Sequence, residues 1–227
     1  MKLPGTIEHV EIVRQEPVSN PEHSAYLTLW NLGVQNTYTD GSKSAVYRYE
    51  AVLRKWLDAV VLVLIAEIEE VLMVCMRTSI RPPILLRSNL SLPQPDSDPQ
   101  GTLLELPAGL IEDEDRGPEG VLRRAAAETL EETGYDLPLG AFSLLGSGVF
   151  VSPGVIPERM IFLSAAVPDY AAVQKPEGDG SPLEEGSDIL WVGVDEALKM
   201  CDNGAIVDMK TELGIRRLAS KLQGTGR

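Results

Sequence analysis

The stretch Pro118–Tyr135 reads PEGVLRRAAAETLEETGY, and its spacing decides how the rest of the chain is read. It predicts a helix over Pro118–Thr133. Pro118 suits a first turn, where its missing N–H is no loss, the interior is Ala, Leu, Arg and Glu, and Gly134 supplies the stop. On such a helix Glu128, Glu131 and Glu132 stand at i, i+3 and i+4. At about 100° per residue they share one face. Leu122, Ala126 and Leu130 are expected on the opposite face, giving an amphipathic helix whose polar stripe is all carboxylate. Like charges at this spacing cost a helix roughly a few tenths of a kcal/mol, and the dipole disfavours anions near the C-terminal end. Two readings follow. The stripe is a solvated acidic face, or it is a site for hard divalent cations, which make clustered carboxylates favourable.

Working outward, Ala59–Ala66 is a continuous apolar run rich in Val. It predicts a strand buried on both faces. Glu67–Glu70 reads as a turn and Val71–Met76 as the returning strand of a hairpin. Toward the N-terminus, Ile7–Val13, Ala25–Gly33 and Ala45–Leu53 predict short strands, with Asp40-Gly41-Ser42 as a turn. Toward the C-terminus, Phe142–Val151, Met160–Val167 and Ile189–Val194 read as strands. Helices are expected near Asp195–Cys201 and over Asp208–Leu222. Residues 84–101 and 174–187 have the polar, Pro-rich composition of exposed loops. The expected organisation is N-terminal strands over 1–56, a main domain over 57–207 and a C-terminal helix or tail over 208–227. Strands mixed with two or three helices indicate an α/β or α+β sandwich.

The net charge of −14 over 227 residues narrows the partners. Nucleic-acid affinity comes mainly from Lys and Arg on phosphates, so a nucleic-acid binder is excluded, as is a polybasic membrane-surface protein. The apolar stretch at Ala59–Ala66 stops far short of the roughly 20 residues of a spanning helix, and a cytoplasmic protein is expected. Cys75 and Cys201 are too few for a disulfide framework or a Cys-rich zinc site. With only His9 and His23, a His-rich metal site or a Ser-His triad is not expected. No glycine-rich phosphate loop of the dinucleotide or Walker type is present.

The segment Glu105-Leu106-Pro107-Ala108-Gly109-Leu110-Ile111-Glu112, followed by Ala127–Tyr135, resembles the signature of the Nudix hydrolases. That signature is Gly-x5-Glu-x7-Arg-Glu-U-x-Glu-Glu-x-Gly-U, with U a bulky apolar residue. The ELPAGLIE stretch is similar in particular to the ADP-ribose and ADP-sugar pyrophosphatase branch. The resemblance implies an α/β/α sandwich with a mixed sheet, and glutamates arranged around Mg²⁺ or Mn²⁺. Matched residue by residue, Gly109 takes the first glycine, Glu128 the Glu after the Arg, Glu131 and Glu132 the Glu pair, Gly134 the last glycine and Tyr135 the last bulky position. The Ala108 carbonyl is implied as a further metal ligand. The chain departs from the pattern in several places. Ala127 stands at the Arg, Thr129 at a U position, and Asp115 where the first Glu falls by count. The interval from Gly109 to Gly134 is four residues longer than in the pattern. An Arg at 127 could hold Glu131 four residues on, which alanine cannot do. Arg124, four residues before Glu128, is the candidate to take over the orienting role.

Two further segments resemble the same branch. Ser152-Pro153-Gly154 with Glu158 and Phe162-Leu163-Ser164-Ala165 is similar to its segment beyond the box. The resemblance makes Pro153 a candidate substrate-preference residue and Glu158 a candidate for the metal site. Glu184-Glu185-Gly186-Ser187-Asp188 looks like its acidic loop, which implies a catalytic base at Glu185 or Glu184. Arg77 and Arg81 resemble the arginine-bearing strand end and are candidates for the substrate phosphates, Arg81 preferred. Trp30, Tyr47 and Tyr49 are possible stackers for a base. The implied function is metal-dependent hydrolysis of ADP-ribose or a related nucleoside diphosphate sugar to AMP and a sugar phosphate, by a homodimer. The alternatives are another nucleoside diphosphate derivative as substrate, or a catalytically impaired Nudix-like nucleotide-binding protein.

Overall fold

The computed structural model describes residues 5–18, 26–95, 101–174 and 187–225. The chain forms two compact units, Met1–Leu57 with Phe150–Arg159, and Asp58–Val149 with Met160–Arg227. In the first, β1 (Ile7–Pro17), β2 (Leu27–Tyr38) and β3 (Tyr47–Arg54) form an antiparallel sheet in that order. The turn at Asp40-Gly41-Ser42 forms: the Asp40 carboxylate accepts the Ser42 N–H at 2.9 Å, and Gly41 takes φ +83. β1 and the central β2 run past their expected ends, because ladder pairing carries β1 through to Pro17 opposite Trp30 and β2 through to Tyr38 opposite Ile7.

The second unit is built on a mixed sheet. Its strands are β4 (Ala59–Ile68), β5 (Val71–Ile80), β6 (Thr102–Glu105), β7 (Ala108–Leu110), β8 (Ser143–Leu144), β10 (Ile156–Ala166) from Met160 on, and β11 (Ile189–Gly193), while β9 (Val149–Ser152) from Phe150 on and the start of β10 fall in the first unit. The central order is β11-β5-β4-β10-β8. β4 and β10 run parallel, Met160 opposite Ala59, and the β4–β5 hairpin is antiparallel. The apolar run in β4 has a simple cause. Val60, Leu62 and Leu64 point to one face, Val61 and Val63 to the other, and helices cover both. Helix α2 (Gly117–Thr133) packs through Ala125 with Val60, Leu62, Leu64 and Cys75. Helices α3 (Val194–Asp202) and α4 (Met209–Thr225) pack through Ala197, Cys201, Ile215 and Leu218 with Val61, Val63, Val74 and Met76. The result is an α/β/α sandwich. The 208–227 segment is therefore not set apart: Ile215 and Leu218 lie in this core, and Asp208 caps α4 by accepting the Thr211 N–H at 3.0 Å.

Three expectations are corrected. The 84–101 stretch does not begin as a loop. Pro82-Pro83 open a short helix, α1 (Pro82–Leu86), and a 3-10 turn follows at Arg87–Asn89; proline pre-sets the helical φ of a first turn. The Phe142–Val151 strand is two short strands, interrupted where Gly146 takes φ +81. Of the expected core-facing stripe of α2, Leu122 and Ala126 pack against the core but are only partly buried, and Leu130 is exposed, so the stripe's centre lies elsewhere. It is Ala125, Thr129 and Thr133, all fully buried. The Thr129 hydroxyl meets the Ala125 carbonyl at 2.6 Å, which lets a threonine occupy an apolar position. Among the described residues no helix is long and apolar enough to cross a membrane.

Candidate active site

The shifted stripe changes the setting of the glutamates. With Glu128 at 0°, Glu132 lies near 40° while Ala125, Thr129 and Thr133 lie at roughly 60°, 100° and 140°. The glutamates border the buried face instead of opposing it, and the side chains of Glu128 and Glu132 are only 12% and 14% exposed. Glu128 lies against Gly109 of β7. A Cβ at Gly109 would sit 1.7 Å from the Glu128 carboxyl carbon, so the close approach requires glycine there. The Ala108 N–H donates to Glu132 Oε2 at 2.8 Å. Gly134 ends α2 in the left-handed region at φ +78, its N–H bonded to the Leu130 carbonyl at 2.9 Å.

The electrostatics of the cluster are unbalanced. Burial, then the nearby Glu132 and Glu131 charges, push the Glu128 carboxyl up to about 8, against the opposing pull of Arg124. Two cations partly answer these charges. Arg124 places Nε 2.7 Å from Asp115 Oδ2, Nη2 3.3 Å from Glu112 and Nη1 3.6 Å from Glu128. It therefore reaches Glu128, as expected, but its tightest partner is Asp115. Asp115 is itself buried and accepts the Glu112 N–H at 3.1 Å. The residue at the departed Glu position thus braces the loop before α2.

Arg77, expected at the substrate phosphates, lies beside the glutamates of α2. It is buried, and its guanidinium pairs with Glu132 and donates to the Ser187 hydroxyl at 3.1 Å. In this arrangement it faces the carboxylate cluster, not an open phosphate site. Arg81 is likewise turned aside: Nε and Nη2 grip Glu105 at 2.8 and 2.6 Å. Glu158, a candidate for the metal site by resemblance, is buried in the first unit and paired with Arg54 at 2.5 Å. Pro153 lines an apolar cavity of about 330 Å³ in that unit with Trp30 and Tyr49, while the Tyr47 hydroxyl is bonded to Asn36 at 2.9 Å. Glu184 and Glu185 lie outside the described residues.

Sequence reading missed Glu105. It is 2% exposed and held by Arg81 and Lys210; Lys210 also meets Asp208 at 2.9 Å. The signal was a single charge in the apolar run Leu103-Leu104-Glu105-Leu106. Cys75 is also near the cluster, but burial and then the Glu132 charge push its thiol up to about 12, far from a nucleophile's range. Among the described residues no three acidic, His or Cys side chains converge as a ready-made metal cage. The donor chemistry nonetheless suits a hard cation: buried carboxylate oxygens under mutual repulsion, with a glycine beneath them.

The chain is 31% identical over 115 residues to the GDP-mannose pyrophosphatase of an Enterobacter species (strain 638), across 51% of this chain and 54% of that protein. It is 32% identical over 120 residues to the GDP-mannose pyrophosphatase of Citrobacter koseri, across 53% and 57%. The chain thus spans little more than half the length of the curated relatives it matches. The crystal structure of an ADP compounds hydrolase superposes with a TM-score of 0.64 over 98% of both chains at 14% identity, a likeness of fold. These relatives bear out the resemblance to the Nudix pyrophosphatases. The sandwich with its mixed sheet agrees with the fold class expected from the sequence. No protein-family model matches the chain.

Proposed function

We propose that this chain hydrolyses the diphosphate bond of a nucleoside diphosphate sugar with Mg²⁺ or Mn²⁺, giving a nucleoside monophosphate and a sugar phosphate. ADP-ribose would yield AMP. One observation carries the reading: three helix glutamates border a buried face, and like charge and burial lift Glu128 to about 8. Such a cluster costs stability unless a cation answers it. Glu128, Glu131, Glu132 and the Ala108 carbonyl are the groups that would hold the ion. A bound ion would supply Lewis acidity toward the diphosphate and lower the pKa of water. The chain's own residues do the rest. Gly109 leaves room for the Glu128 carboxylate, the Ala108 N–H fixes Glu132, and Arg124 ties Glu128 to the loop at Asp115. Glu185 or Glu184 is proposed as the base that takes a proton from the attacking water. Loss of the one that serves lowers kcat by on the order of 10²–10⁴. A homodimer belongs to the same proposal.

The substrate class draws on relatives named for GDP-mannose and a fold neighbour named for ADP compounds. A panel of ADP-ribose, ADP-glucose, GDP-mannose, NADH and nucleoside triphosphates with Mg²⁺ or Mn²⁺, repeated with Glu132→Gln, tests it. Metal-dependent turnover of a diphosphate sugar, lost in the variant, is expected. A second reading, a nucleotide binder with impaired catalysis, is favoured by Ala127 and by the arginine already on Glu132. Binding without turnover of any substrate selects it.

A further inference from the structure

The Nudix pattern brings a positive charge to its glutamates from the helix, and here that position is Ala127. The charge reaches the cluster from the sheet instead. Arg77 sits on β5, opposite Glu105 on β6 and Ile189 on β11. Its side chain is 7% exposed and paired with Glu132 Oε1, while the other Glu132 oxygen takes the Ala108 N–H at 2.8 Å. A second tether runs from Arg77 to the Ser187 hydroxyl, which in turn donates to the Thr78 carbonyl at 2.7 Å. Glu105, the other carboxylate opposite Arg77, is already committed to Arg81 and Lys210. A buried guanidinium needs an anion, and a buried carboxylate among carboxylates needs a cation. Each meets the other's need.

We propose that Arg77 is the internal counter-cation of the Glu128–Glu131–Glu132 cluster, a positioning residue that holds the Glu132 carboxylate until a divalent ion displaces it. The inference rests on the metal-binding reading above and goes beyond it by giving Arg77 a role that competes with the ion. Arginine and ion claim the same oxygen, so the pair must loosen for the ion to enter. Removing the guanidinium takes this ion pair from Glu132 in the metal-free protein and makes it a better ligand.

The test uses Mn²⁺ alone, with no substrate, on the full chain. Calorimetry gives the Mn²⁺ dissociation constant, and thermal melts with and without Mn²⁺ give the stability. For Arg77→Met the account expects a lower Tm without metal, Mn²⁺ binding tighter by on the order of tenfold, and a larger rise in Tm on adding Mn²⁺. Equal or weaker Mn²⁺ affinity overturns the inference. So does a Tm loss of the same size with and without metal, which marks a purely structural arginine. A raised KM with unchanged Mn²⁺ affinity also overturns it, in favour of a phosphate contact. Should Arg77→Met fail to fold, Arg77→Lys decides. A point charge grips a carboxylate less well than the planar fork, so Mn²⁺ should bind tighter than in the wild type by a smaller margin, and equal or weaker binding overturns the inference. No Mn²⁺ binding by wild type or variant overturns the metal reading itself, and the inference with it. Binding by both with equal affinity overturns the inference alone.

Discussion

Glu105 on β6 and Glu128 on α2 are both glutamates withdrawn from water, and their neighbours drive them in opposite directions. Burial pushes Glu105 up, but the hydrogen bond from Arg81 and the charge of Lys210 outweigh it and hold the carboxyl below its ordinary range. Burial pushes Glu128 up too, and there Glu132 and Glu131 add to the push, so the group rises to about 8. The first is matched by two cations and acts as a strut between β6 and the start of α4. The second is under-neutralised, and strongly shifted groups of this kind cluster at functional sites. Burial alone separates neither case; the sign of the neighbouring charges does.

The largest effect expected from this contrast is on stability. Glu105→Ala leaves the buried Lys210 with Asp208 as its remaining anion and should cost about 3 kcal/mol in denaturant unfolding, with Mn²⁺ affinity unchanged. A mild loss, or a loss of metal affinity, would break the division into strut and site. Next comes Gly109→Ala. Its methyl would enter space held by the Glu128 carboxylate, at 1.7 Å from the carboxyl carbon. Displacing that end of the side chain should weaken Mn²⁺ binding by roughly 10–100-fold in a protein that still folds. Unaltered affinity would remove Glu128 from the ligand set. The smallest effect, on metal-free stability at neutral pH, belongs to Glu128→Gln, because a carboxyl raised to about 8 is already mostly protonated there.

The pH dependence sharpens the same contrast. Glu128 is raised from 4.5 to about 8 in the folded protein, so its contribution to stability is present below 4.5 and lost as pH climbs through 8. Glu105 is lowered, so its contribution is present above the ordinary carboxyl value and lost as pH falls through its folded value. Metal-free melts should therefore show the wild type losing Tm from about pH 5 to 8 while Glu128→Gln stays flatter. Parallel curves for the two proteins would contradict the raised Glu128.

The sequence showed where its own periodicity carried the information. Helix α2 was legible because Pro118, Gly134 and three carboxylates at helical spacing agree. The β4–β5 hairpin was legible because an apolar run two faces deep has one solution in a sandwich. What was hidden lies in contacts between residues far apart along the chain. Arg77 reads as a phosphate contact until Glu132, on another element, is seen to hold it. Glu158 reads as a metal ligand until Arg54 is found beside it. Leu130 and Thr129 exchanged places on the helix because packing against β4 chose the face, and a threonine whose hydroxyl bonds its own helix can be buried. Glu105 was quoted within its motif but not read as buried, since its two cations come from 24 residues before it and 105 after it.

Calorimetric titration of the wild type with Mn²⁺ at pH 7, in buffers of differing ionisation enthalpy, tests the central claim most directly. The ion should bind and release about one proton, because Glu128 must ionise to serve as a ligand. Binding without proton release, or no binding at all, would contradict the account.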